Sequence, residues 1–112
     1  MIIKKQDLNY LGLPNSELTI KNYDNIKEVK LGNIEIKLQL SLFSFLVSFI
    51  KKAKKTTYVS FKDEDWIYGE KTLQRYAKKI NDECKKLGIK DIIKARRCYG
   101  YYLNTKSFLL IE

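Results

Sequence analysis

Histidine does not occur among the 112 residues. Its absence excludes imidazole metal sites, Ser-His and Cys-His nucleophile pairs, and imidazole acid–base chemistry. Cysteine is nearly as scarce, since Cys84 and Cys98 are too few for a disulfide framework or a four-ligand zinc site. Proline occurs once, at Pro14, and no long linker, repeat or low-complexity tract interrupts the chain. Long apolar runs are missing too. The longest, residues 38–50 (LQLSLFSFLVSFI), contains Gln39, Ser41, Ser44 and Ser48. A spanning helix needs about 20 apolar residues, so this run is expected to be a buried core helix and no membrane is expected as partner. No apolar leader follows Lys4 and Lys5. Free thiols without an export signal point to a reducing, cytoplasmic setting. An enzyme is the least favoured class, and no cofactor is implied.

What the chain does have is apolar mass and positive charge. Hydrophobic residues make up 45%, enough to build one core in a chain of single-domain length. Lysine and arginine number 22 against 13 acids, a net of +9. Residues 1–50 carry six basic and five acidic side chains, residues 51–70 five and four, and residues 71–112 eleven and four. The corresponding nets are +1, +1 and +7, so the excess gathers in the last third. Clustered charge of this kind is the footprint of an anionic partner; the bland alternative is a basic face kept for solubility.

Periodicity sets the expected elements. Residues 17–24 (ELTIKNYD) alternate weakly. Residues 27–40 read as a β-hairpin, with a Gly32-Asn33 turn and Ile34, Ile36, Leu38 and Leu40 two apart on one buried face. Ser41 then serves as N-cap of a helix with Leu42, Phe45, Leu46, Phe49, Ile50 and Ala53 on its apolar side. Lys51, Lys52, Lys54 and Lys55 lie in its last turn, where they suit the helix dipole better than a phosphate. A short second helix is expected from Ser60 to Gly69, with Asp63, Glu64 and Asp65 at its start and Trp66 and Ile67 as its core contacts. A third helix spans about residues 71–87. Leu73, Tyr76, Ala77, Ile80, Cys84 and Leu87 form its apolar stripe, and Gly88 stops it. Residues 89–103 read as two strands around a basic turn at residues 96–100. Residues 107–111 (SFLLI) form a last apolar segment with no evident partner.

In this order the elements resemble the OmpR/PhoB-type winged helix-turn-helix domain of bacterial response regulators. The resemblance is carried by Leu40-Ser41 before the first helix, Phe45 to Ile50 within it, Val59-Ser60 to Ile67, Lys86-Leu87 at the end of the third helix, and Gly100-Tyr101-Tyr102-Leu103 closing the wing. It covers about residues 17–104. It implies an α+β winged helix with an N-terminal antiparallel β-sheet, three helices and a C-terminal β-hairpin wing. The implied organisation is an N-terminal arm over 1–16, the winged-helix domain over 17–106 and an apolar strand or tail over 107–112. Cys98 stands where the family has its first wing glycine, and Cys84 where an arginine is frequent. Asp82 and Glu83 would repel phosphates if turned toward DNA. No receiver domain accompanies the chain, so phosphorylation-driven dimerisation is not implied.

The function so implied is double-stranded DNA binding by a small transcriptional regulator, with the third helix in the major groove. Gln74, Arg75, Lys78, Lys79 and Lys85 on that helix are the expected contacts; Gln suits adenine, and Arg or Lys suits guanine. Lys94, Arg96 and Arg97 would meet phosphates or the minor groove from the wing, with Tyr99 beside them. Tyr99, Tyr101 and Tyr102 could stack on bases as in single-strand binders, but tyrosines alternating along a wing strand are more often core or sheet-face residues. Cys98, beside Arg96 and Arg97, is a candidate redox-sensitive thiol. A homodimer would follow operator symmetry, although no coiled coil supports one. The alternative is a phage-type protein inhibitor that turns a winged helix against a nucleic-acid-binding enzyme or ribonucleoprotein, offering MII and SFLLI for strand pairing. RNA binding through the same face is the third.

Overall fold

The computed structural model describes residues 1–7, 16–55, 69–96 and 100–112. Its strands in chain order are β1 (Ile2–Ile3), β2 (Leu18–Tyr23), β3 (Ile26–Leu31), β4 (Ile34–Glu35), β5 (Ile93–Arg96), β6 (Gly100–Leu103) and β7 (Phe108–Ile111). Its helices are α1 (Leu40–Lys55) and α2 (Glu70–Lys86), with a 3-10 turn at Lys5–Asp7. The architecture is α+β. The chain forms two compact units, one of residues 1–37 and 105–112, the other of residues 38–104.

The first unit is a five-stranded sheet in the order β1-β7-β2-β3-β4. Two-residue turns set the register of its antiparallel part. Asp24 and Asn25 join Tyr23 to its partner Ile26, and Gly32 and Asn33 join Leu31 to Ile34. Gly32 sits at φ +61°, the left-handed value that a tight hairpin turn needs at its first central residue. β7 runs parallel to both its neighbours, pairing Leu110 with Ile2 on one side and with Ile20 on the other. The sheet is therefore mixed, where the sequence suggested an antiparallel one. Parallel pairing needs a long crossover, and residues 38–104 supply it between β4 and β7. SFLLI, which had no evident partner in the sequence, is an interior strand of the sheet. MII contributes its edge strand, so these two segments pair with each other.

The interior position of β7 explains its unbroken apolar run. Leu109 and Ile111 pack with Ile3 and Tyr23 on one face of the sheet. Leu110 shares the opposite face with Leu18, Ile20 and Val29, and all are buried. A strand covered on both faces has no polar alternation to show. At its start, the Lys106 backbone N–H donates to Glu17 Oε2 at 2.6 Å, and the Glu17 N–H donates to Ser107 Oγ at 3.0 Å.

The Gly32-Asn33 hairpin is shorter than its alternation suggests. β4 ends at Glu35, and of the four residues expected on one buried face only Ile36 is buried. Ile34 is 41% exposed and Leu40 64% exposed. Alternation in sequence continues past the point where the chain stops pairing, so it overstates the strand.

The second unit holds both α-helices seen among the described residues. α1 starts at Leu40, where Phe43 N–H donates to Gln39 O at 2.9 Å; Ser41 lies inside the first turn rather than capping it. Phe43 and Val47 are buried along with Leu42, Phe45, Leu46, Phe49 and Ile50, a wider apolar surface than one stripe. The Phe45 ring meets Tyr76 of α2 edge-on at 5.3 Å and stacks against Phe49 at 6.1 Å. Of the six-residue stripe its spacing predicts, α2 buries Leu73, Ala77, Ile80 and Cys84; Tyr76 is half-buried, and Leu87 lies beyond the helix and is exposed. Its end is a Schellman motif: Gly88 N–H donates to Lys85 O and Ile89 N–H to Cys84 O, with Gly88 at φ +69°. Of the second helix expected from Ser60 to Gly69, residues 60–68 fall outside the described residues, and Gly69 is extended at the N-cap of α2. No helix among those described is long and apolar enough to cross a membrane.

Candidate functional site

The site builds from α2 upward. Its buried stripe fixes which residues face away from the core, and those are mostly basic: Lys71, Arg75, Lys78, Lys79, Lys85 and Lys86 are all exposed. Against this helix lies the β5–β6 hairpin, with Ile93 paired to Leu103 and Arg96 to Gly100. β5 has a strand neighbour on one side only. On its other edge the Asn81 side chain of α2 takes that place. Asn81 Nδ2 donates to Ile93 O at 2.7 Å and Asn81 Oδ1 accepts from the Ile93 N–H at 3.3 Å. Asn104 closes the hairpin base, its backbone N–H donating to Ile92 O at 2.8 Å and its Nδ2 to Asp91 O at 2.9 Å. Both asparagines escaped the sequence reading. The one available signal was Asn81 itself, a weak helix former at the edge of an apolar stripe.

Between helix and hairpin runs an open groove of about 320 Å³. Gln74, Lys78, Asp82 and Lys85 line it from α2, and Lys94 and Tyr101 line it from the hairpin. The expected contact residues thus divide in two. Gln74, Lys78, Lys85 and Lys94 share the groove, while Arg75 and Lys79 are exposed on α2 outside it. Arg96 is exposed at the end of β5. Arg97 and Tyr99, together with Cys98, lie outside the described residues.

Several of these charges already have partners. Lys78 Nζ is 3.0 Å from Asp82 Oδ2, and Lys86 Nζ is 2.9 Å from Glu83 Oε1. The bond from Lys78 holds the Asp82 carboxyl below its usual range, and the charges of Lys78, Lys85 and Lys86 act in the same direction. The bond to Glu83 pushes the Lys86 ammonium up. Gln74 Nε2 reaches Glu70 Oε1 at 3.5 Å, and the Arg75 guanidinium lies 5.3 Å from the centre of the Tyr76 ring. Burial, with a smaller contribution from Glu70, raises the Tyr101 phenol. Exposed ion pairs are worth about 0–1 kcal/mol, so a phosphate can displace any of them.

Cys84 belongs to the core. Burial pushes its thiol up from 9.0 to about 11, against a hydrogen bond from the Ile92 backbone. Among the described residues no three Cys, Asp or Glu side chains gather as metal ligands would. The arrangement can offer charge, an amide and a phenol to an anionic surface. Comparison with protein-family models, with curated proteins and with solved structures finds no match to this chain.

Proposed function

We propose that this chain binds double-stranded DNA as a winged-helix regulator of the OmpR/PhoB type, acting in the cytoplasm. In this reading α2 enters the major groove, Arg75 and Lys79 face base edges, and the β5–β6 hairpin is the wing. Gln74, Lys78, Lys85 and Lys94, between helix and wing, lie where a phosphate backbone would pass.

The observation that carries the reading is the coincidence of charge and architecture in one unit. Residues 38–104 hold fifteen basic and seven acidic side chains, a net of +8, against seven and six, a net of +1, in residues 1–37 and 105–112. Within that unit a basic helix is locked edge-on to a basic hairpin by Asn81. A solubility device would not require this spatial match.

The test is fluorescence anisotropy against a pool of random duplex DNA, titrated from low to physiological salt. Affinity should fall with a log–log slope of about −0.9 for each phosphate neutralised. No binding at low salt removes the proposal.

A further inference from the structure

On α2 the half-buried Asp82 carboxylate stands among four lysines. In the run from Lys78 to Lys86, Asp82 has Lys78 four residues before it, Lys79 three before, Lys85 three after and Lys86 four after. Those offsets define the surface neighbours of a helical position, about 5–6 Å away between Cβ atoms. All four lysines are exposed. Lys78 Nζ touches Asp82 Oδ2 at 3.0 Å, and Lys78, Asp82 and Lys85 all line the groove beneath the hairpin. Lys86 is held by Glu83 at 2.9 Å, so Asp82 is the acid of α2 that lines the groove, with Asp91 lining it from beyond the helix. A carboxylate held this way presents to ammonium groups what a phosphate presents: negative charge and acceptor oxygens.

We propose that the Asp82 carboxylate occupies an anion site on α2 and competes there with the phosphates of a bound nucleic acid. Lys78 becomes available to a phosphate only when its ion pair opens. Asp82 thereby weakens sequence-independent binding and flattens its salt dependence, leaving discrimination to side chains such as Arg75 that lie outside the groove. This role in nucleic-acid binding rests on the duplex-binding reading above, whereas the anion site is a property of the helix surface.

Asp82→Asn keeps the shape of the side chain and removes its charge. Glu28→Gln is the control, since Glu28 pairs with Lys30 at 2.9 Å in the sheet unit. Asp82→Asn should bind random duplex about two- to fivefold more tightly at low salt, the range of one exposed ion pair. Its log–log salt slope should steepen by about 0.9, one more phosphate neutralised. Glu28→Gln should change neither. With inorganic phosphate alone, the melting temperature of Asp82→Asn should rise more than that of the unsubstituted protein. If the protein binds duplex and Asp82→Asn has the same affinity and slope, the proposal is overturned. If neither binds duplex, the duplex reading falls and phosphate decides alone. A larger stabilisation of Asp82→Asn then supports the anion site, and equal stabilisation overturns it.

Discussion

Asn81 joins the two halves of the candidate site with one side-chain amide. It supplies the donor and the acceptor that a neighbouring strand would otherwise give to Ile93, whose residue is itself buried. Asn81→Ala leaves both backbone groups short of partners in a half-buried place. The expected cost is about 1–3 kcal/mol, read from the urea midpoint. Faster amide exchange at β5 than at β2 should accompany it, because only the hairpin loses its clamp; uniform exchange would contradict the local role. Cys84 sits nearby with the opposite chemistry, a thiol kept neutral by burial. Its folded pKa of about 11 lies above the ordinary 9.0, so the unfolded chain ionises first. The stability it contributes is present below pH 9 and is lost as pH rises through about 11. The gap in unfolding free energy between the protein and Cys84→Ala should therefore narrow over that window. A gap that widens would mean the thiol is not desolvated.

Elements differ in how far their residues announce them. α2 is legible because its stripe, its Gly88 stop and its basic face are all local, and each depends on neighbours three or four residues away. The Gly32-Asn33 turn and the β5–β6 hairpin are legible for the same reason. β7 is not. Its partners, Ile2 and Ile20, lie 108 and 90 residues before Leu110, and an apolar run names no partner over such separations. Once paired, β7 becomes the strand on which the sheet depends. Leu110→Ala removes a fully buried side chain and should cost about 2–5 kcal/mol, a large part of a typical total of about 5–15 kcal/mol. Leu87→Ala, at a position 44% exposed just past α2, is the comparison. Equal midpoint shifts in urea would show that β7 is not the interior strand.

At the scale of the molecule, the candidate site was legible as charge and illegible as shape. Composition placed the excess in the last third of the sequence, and the division into compact units assigns +8 of the net +9 to residues 38–104. What composition could not divide was groove from outer face, because that division depends on where β5 packs against α2. The asymmetry between units has a measurable consequence under the duplex-binding proposal. Lys79 and Lys94, both exposed in the unit of net +8, should each matter to DNA. Lys4 and Lys27, both exposed in the unit of net +1, should not. The double variants Lys79→Gln/Lys94→Gln and Lys4→Gln/Lys27→Gln lose the same formal charge, so any long-range effect of net charge is matched between them. A lysine that contacts a phosphate takes about 0.9 from the magnitude of the salt slope when it is neutralised. The first pair should flatten the slope and weaken binding, most of all at low salt; the second should leave the slope intact. Equal losses from both pairs would mean that DNA feels the charge of the whole chain and that α2 and the hairpin are not its docking face.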